Sequence, residues 1–175
     1  MFSQVVNFTT LLALFAGAVV SDGTAPTSST GSSSPTCALQ AMLVQGITIN
    51  IFDQMNELDT AKQALSILQA TPFNQAQFMQ TKVILLNFVT TGMYIRQLNQ
   101  MIAPLGNPAV GGLAFVAGAQ LEELGLTQNL TGNPTTDVPI VKKLIDDFTG
   151  GIGKNKDNRV QAATGCPEIK IPTDN

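Results

Sequence analysis

Apolar residues recur at steps of three and four along most of this chain, which is the spacing of amphipathic helices. The pattern predicts four helices, at about Cys37–Gln69, Asn74–Ile102, Pro108–Leu124 and Asp137–Ala163. Proline-containing turns and one polar loop separate them. Short connections favour antiparallel neighbours, so we predict an all-α fold, an antiparallel bundle of about four helices.

Glycines interrupt the helical pattern at several places. Gly46 precedes the β-branched run Ile47-Thr48-Ile49, where a kink is expected. Gly125 is expected to end the third helix, and Asp137 to cap the fourth. Three glycines within Gly150–Gly153 are expected to bend or break the fourth helix, unless a neighbouring helix packs tightly there.

The N-terminus has the pattern of a secretory signal peptide. Residues 11–20 form an apolar run that is too short to span a bilayer, and small residues permit cleavage after Ala18 or Ser21. We therefore assign residues 1–21 to the signal peptide, 22–36 to a Ser/Thr-rich linker suited to O-glycosylation, 37–166 to the helical domain and 167–175 to a tail. No transmembrane segment is predicted, and the expected location is extracellular or in a cell wall.

Two cysteines bracket the predicted domain. In an oxidising compartment, Cys37 and Cys166 are expected to form one disulfide that joins the two ends of the bundle. The alternative is two separate buried thiols. The loop 127–136 contains Asn129-Leu130-Thr131, which is an N-glycosylation sequon, so Asn129 is the predicted glycan site.

Composition argues against several classes of function. A formal net charge of −3 argues against a nucleic-acid-binding protein. Because the chain has no His, the usual catalytic triads and zinc sites are absent from the prediction. We predict no catalytic residue, no metal and no cofactor. The carboxylate pairs Asp53/Glu57, Glu122/Glu123 and Asp146/Asp147 are interpreted as solvated surface groups.

The second predicted helix has two apolar faces, a pattern expected of a central helix or of one that borders a ligand. A candidate ligand pocket comprises Phe88, Gly92, Tyr94, Ile95, Arg96 and Phe148. In it, Arg96 and Tyr94 would anchor an acidic head group. The alternative is a structural Arg96 that reaches solvent or pairs with Asp53, Glu57 or Glu122.

Several short stretches resemble segments of small secreted proteins of filamentous fungi. These are Gly46–Asn50, Leu86–Val89, Asn107–Ala109, Ala117–Gln120 and Asp147–Ile152. A more distant similarity is to the hydrophobic surface-binding and cell-wall galactomannoprotein family. That resemblance implies a secreted helical bundle, in some members one that binds fatty acids, and it assigns no role to any numbered residue of this chain.

These observations lead to two alternative functions. The first is a secreted, non-enzymatic protein that binds at the cell wall or cell surface, or acts as a host-directed effector, with cell-wall polysaccharide or a host protein as partner. The second is an extracellular carrier of a lipid or another apolar ligand in a cavity between the helices.

Overall fold

A computed structural model describes residues 35–173 of the chain. The helices are α1 (Pro35–Gln69), α2 (Gln75–Ile102), α3 (Ala109–Gln128) and α4 (Pro134–Ala162). Each packs on the next in chain order, and α4 packs on α1, which closes the ring. The predicted all-α bundle of four helices is confirmed. The predicted signal peptide and nearly all of the predicted linker lie outside the described residues.

The ends of the helices differ from the predicted ones at two places. Helix α3 passes through Gly125 and continues to Gln128. Helix α4 begins at Pro134, with Asn133 rather than Asp137 as its N-cap residue. Asp137 instead lies one turn inside α4, where its Oδ2 accepts hydrogen bonds from the backbone N–H groups of Thr131 and Gly132 at 2.9 and 2.6 Å. Its carboxylate therefore fastens the α3–α4 loop onto the helix.

Helices α1 and α4 are both continuous through their glycines, so the expected break in α4 is absent. Gly46 of α1 lies against the side chain of Asn99 on α2, and Gly151 of α4 lies against Gln54 of α1. These glycines therefore admit a polar side chain from the neighbouring helix, and the packing holds the backbone helical.

On α1 and on α3, one series of buried positions follows alternating steps of four and three residues. On α1 they are Leu43, Ile47, Asn50, Gln54, Glu57, Ala61, Ala64 and Leu68, and from α3 they are Ala109, Leu113, Val116, Gln120, Glu123, Thr127 and, just beyond the helix, Leu130. This is the heptad spacing of coiled-coil-like bundles. Polar residues occupy the middle of both series, so the buried stripe of α1 is not the purely apolar one that its sequence suggested.

The apolar core consists of two separate clusters. The cluster at the disulfide end contains Leu43, Val44, Ile47, Ile51, Ala109, Leu113 and Ala162. The cluster at the opposite end contains Ala61, Ala64, Ile67, Leu68, Phe78, Leu85, Val89, Leu130, Val141, Leu144 and Phe148. On α1 and α4, which contribute to both clusters, buried polar residues lie between the two contributing stretches.

A disulfide joins Cys37 at the start of α1 to Cys166 just after α4, with 5.6 Å between the Cα atoms. The prediction is confirmed, and the alternative of two separate thiols is excluded. Beside the bridge, Gln40 Nε2 donates a 3.1 Å hydrogen bond to the carbonyl oxygen of Thr164. Within residues 35–173, no helix has the combined length and apolar character needed to cross a membrane.

Reduction of the disulfide should lower the free energy of unfolding substantially. The bridge links residues 129 positions apart, and for a loop of this length the chain-entropy model gives up to about 5 kcal/mol. Denaturant titration with and without reductant, alongside a Cys37→Ser/Cys166→Ser double variant, measures the difference. Equal unfolding midpoints for the oxidised and reduced proteins would contradict the expectation.

Two adjacent glycines of α3 should respond oppositely to substitution by alanine. A Cβ atom at Gly112 would overlap the side chain of Asn158 on α4, whereas one at Gly111 would meet nothing within 4 Å. We expect Gly112→Ala to lower the free energy of unfolding by about 1–3 kcal/mol through overpacking. Gly111→Ala should raise it by up to about 1 kcal/mol through helix propensity. Thermal denaturation of both variants tests the pair, and stabilisation by Gly112→Ala would refute the close approach.

Candidate functional site: a buried polar layer

Buried polar side chains from all four helices form a layer between the two apolar clusters, here called the central layer. Its members are Asn50, Asp53, Gln54 and Glu57 of α1, Arg96 and Asn99 of α2, Gln120 and Glu123 of α3, and Asn155, Asn158 and Arg159 of α4. Burying polar groups costs free energy unless they are hydrogen-bonded. The layer is therefore the part of the interior whose chemistry requires an explanation.

Amide side chains connect α1, α2 and α4 within the layer. Asn155 Nδ2 donates to Asn50 Oδ1 at 2.8 Å and to Gln54 Oε1 at 2.9 Å. Asn50 Nδ2 in turn donates to the backbone carbonyl of Gly92 at 3.0 Å. Because an amide both donates and accepts, this relay satisfies polar groups of three helices without using a charge.

Arg96 belongs to the layer and does not reach solvent freely. Its Nε donates to Gln120 Oε1 of α3 at 3.0 Å, and one terminal nitrogen donates to Gln100 Oε1 at 2.7 Å. Desolvation lowers the pKa of its guanidinium. Arg96 thus bridges α2 to α3, and these hydrogen bonds go to glutamines rather than to the predicted carboxylates Asp53, Glu57 or Glu122.

Three carboxyl groups are buried in the layer: Asp53 is 8 % exposed, Glu57 0 % and Glu123 1 %. Both carboxyl oxygens of Glu57 and of Glu123, and Oδ2 of Asp53, have no hydrogen-bond partner. The interpretation of Asp53/Glu57 as a solvated pair was wrong. For Glu122/Glu123 the same interpretation was right for Glu122, which is exposed, and wrong for Glu123, which is buried. Arg159 of α4 is also buried in the layer.

Two of these acids converge on Gly92 of α2. A Cβ atom at this position would lie 2.7 Å from Asp53 Oδ2, 2.9 Å from Glu57 Oε1 and 3.3 Å from Gln120 Nε2. Nε2 of Gln120 is itself buried without a hydrogen-bond partner. The missing side chain of Gly92 thus leaves the space in which polar atoms of α1 and α3 meet.

Burial changes the proton affinity of all three carboxyl groups. Desolvation raises the pKa of Asp53 to about 7. The pKa of Glu57 is raised well above its usual value, first by desolvation and then by the negative charges of Asp53 and Glu123. Desolvation, with Asp147 and Glu122 nearby, raises the pKa of Glu123 to about 7. At mildly acidic pH these groups are therefore neutral acids.

The six residues of the predicted pocket lie in different environments. Gly92 and Arg96 are in the central layer, Phe148 is in an apolar cluster, and Tyr94 is 63 % exposed. Phe88 and Ile95 are half-buried on α2. The space beside Gly92 is occupied by carboxyl groups, so nothing there favours an apolar ligand. Asn129, the predicted glycan site, is exposed at the end of α3.

The surface clefts on the described part of the chain include three with volumes of about 450, 360 and 590 Å³, and none of these three is lined by Asp53, Glu57 or Glu123. Within residues 36–173, the one grouping of three metal-ligating residue types is Cys37, Cys166 and Glu168. Its two sulfur atoms are bonded to each other, so they offer no thiolate. No protein-family model, curated protein or solved structure matches this chain.

The central layer could have been found from the sequence by following the heptad rather than the apolar residues. Starting from Leu43, alternating steps of four and three lead through Asn50, Gln54 and Glu57 before they return to Ala61. A stripe traced through apolar residues alone passes instead through Met55, Leu58 and Leu65, which are only partly buried. A polar residue at a heptad core position was the available signal.

Removal of the Asn155 amide should destabilise the bundle. Asn155→Ala leaves the buried acceptors Asn50 Oδ1 and Gln54 Oε1 without their donor, which should lower the free energy of unfolding by about 2 kcal/mol or more. The matched control is Asn87→Ala, at an exposed amide on α2, where a change below about 0.5 kcal/mol is expected. Denaturant titration measures both, and equal effects would show that the amide relay contributes nothing.

Proposed function

We propose that this chain is a secreted, non-enzymatic protein that binds neutral polysaccharide at a cell wall. The observation that carries the proposal is a set of exposed aromatic rings on stretches of α1, α2 and α3 that themselves carry no exposed charge. The exposed rings and the lack of charge are properties of the described surface, whereas the ligand and the location are proposed.

The binding surface lies at the disulfide end of the bundle. It comprises Pro35–Phe52 and Gly92–Leu121, here called the uncharged end, and within these two segments the single charged residue is the buried Arg96. Helix α4 and the tail place charge beside them, since Lys154 lies over the ring of Phe115, and Glu168 and Lys170 line a cleft with Cys37. Its exposed large apolar residues are Leu39, Met42, Ile49, Phe52, Tyr94, Leu98, Met101, Leu105, Val110, Phe115 and Leu121. Exposed large apolar residues in this number are typical of interaction surfaces.

A neutral sugar polymer fits the chemistry of this end. Hydroxyl groups of the polymer both donate and accept hydrogen bonds, as do the exposed amides of Gln45, Gln97 and Gln100. The rings of Phe52 and Tyr94 are 59 % and 63 % exposed and offer flat apolar faces to the C–H faces of sugar rings. A charged side chain at this contact would lose hydration without gaining a counter-charge, which agrees with the absence of Lys, Asp and Glu.

Secretion rests on three features that are consistent with each other. The apolar run of residues 11–20 and the small residues after it have the pattern of a cleaved leader. The Cys37–Cys166 bridge is compatible with an oxidising compartment. The sequon asparagine, Asn129, is exposed and accessible to glycosylation. The second candidate, a lipid carrier, is not pursued because carboxyl groups occupy the space beside Gly92, where its apolar cavity was predicted.

Retention on insoluble β-glucan and chitin tests the proposal. The mature protein should sediment with at least one of these polymers, and Tyr94→Ala should weaken the binding roughly threefold to tenfold, the loss expected for one stacked aromatic ring. The matched control is Val83→Ala, because Val83 is 56 % exposed on the same helix but lies outside the uncharged end.

Three outcomes would contradict the proposal. They are the absence of retention on either polymer, equal binding by the Tyr94 and Val83 variants, and retention only on octyl-agarose or phosphatidylcholine vesicles. The last of these would point to an apolar surface or a lipid as the ligand. Circular dichroism of both variants establishes that a loss of binding is not a loss of fold.

A further inference from the structure

The carboxyl groups of the central layer lie in a row that crosses the bundle. Asp53 is at the α1–α2 side, and Glu57 is close enough to both Asp53 and Glu123 for their charges to act on it. Glu123 on α3 is in turn within electrostatic reach of Glu122, Lys143 and Asp147. The row therefore extends from the α1–α2 side of the bundle to the α3–α4 side, through the fully buried Glu57.

We propose that Asp53, Glu57 and Glu123 form a proton-binding site at the centre of the bundle, so that the fold is stabilised by acid and loosens as these groups ionise. This inference is independent of the proposed function, because the site is inside the bundle and the polysaccharide surface is outside.

The geometry around Glu57 identifies the proton as the ligand. Its two oxygens are buried and have no hydrogen-bond partner, and the acceptor Asp53 Oδ2 and the donor Gln120 Nε2, both also without a partner, meet beside it at Gly92. A neutral carboxyl group supplies an O–H donor that a carboxylate lacks, and it avoids the cost of burying a charge. Protons bound to these carboxyl groups thus supply O–H donors that the ionised groups lack, and a proton needs no entry channel of the size that a larger ligand would need.

Each of the four helices carries charged side chains in or near the layer that contains this site. Besides the three acids, α2 contributes Arg96, which is engaged by Gln120 and Gln100. Helix α3 contributes Glu122, and α4 contributes Asp147, Lys143 and the buried Arg159. Lys143 is held outside by Glu122 and Asp147 at 3.0 and 2.7 Å. Its charge lowers the pKa of Glu123, but not enough to overcome desolvation.

The direction of the pH dependence follows from proton linkage. In the unfolded chain these acids titrate near 3.8 for Asp and 4.5 for Glu, whereas in the folded chain the pKa values of Asp53 and Glu123 are about 7 and that of Glu57 is raised well above its usual value. The folded state therefore binds more protons between these values. Stability is fully present below the unfolded values and is lost as the pH rises through the folded ones.

Equilibrium unfolding of the full mature protein as a function of pH tests the proposal. Between about pH 5 and pH 7, the folding equilibrium constant should fall about tenfold per pH unit for each proton that only the folded state holds. Glu57→Gln replaces the acid by a neutral group of the same shape, so its profile should be shallower by about one proton and its stability above about pH 7 should exceed that of the wild type. The matched control is Asp59→Asn, at an exposed acid on the same helix, which should retain the wild-type slope.

A second measurement does not depend on the variants folding. Infrared spectroscopy of the wild type should detect the carbonyl stretch of protonated carboxyl groups at about pH 6, where ordinary Asp and Glu side chains are ionised. Absence of this band, or a folding constant independent of pH between about 5 and 7, would overturn the proposal. Stabilisation at about pH 8 by millimolar Ca²⁺ or Mg²⁺ in the wild type but not in Glu57→Gln would also overturn it, because the ligand would then be a cation.

Discussion

The burial of carboxyl and amide groups at mid-height is the constraint on which the rest of this bundle depends. These groups are too polar to be covered by aliphatic side chains, so neighbouring helices must supply either hydrogen bonds or space. Asn155 supplies hydrogen bonds to two side chains of α1. Glycines supply the space, with Gly46, Gly92, Gly112 and Gly151 each admitting a polar side chain from an adjacent helix. The distances between the helices are therefore set by the central layer as much as by the apolar clusters.

The distribution of charge relates the interior of the molecule to its surface. Most charged side chains are on the second half of α3 and on α4, or are buried in the central layer, and the disulfide end presents none on α1, α2 or the first half of α3. An uncharged surface suits a neutral ligand, while a buried acidic row makes stability sensitive to protons. The two features occupy different parts of the bundle, so ligand binding and acid stabilisation are physically separable properties.

Sequence reasoning was accurate where a local rule was strong. The second helix was predicted to begin at about Asn74, and in the structure Asn74 is its N-cap residue, whose Oδ1 accepts a 3.0 Å hydrogen bond from the N–H group of Gln77. It was inaccurate where two local rules competed. Asp137 resembles a helix cap as much as Asn133 does, and the backbone N–H groups of Thr131 and Gly132 decided the outcome. Gly125 failed to end α3 because the helix gains packing contacts by continuing to Gln128.

The sequence by itself determined the helix count, the antiparallel bundle and the disulfide, because apolar periodicity, turn residues and two cysteines at the domain edges are local or one-dimensional signals. Only the tertiary structure decided that Asp53, Glu57 and Glu123 are buried and that Tyr94 is exposed. The identity of a polar residue does not indicate whether it lies on the buried or the exposed face of its helix. Its burial depends on what the neighbouring helices present at the same height, here a glycine on α2 and a glutamine on α3.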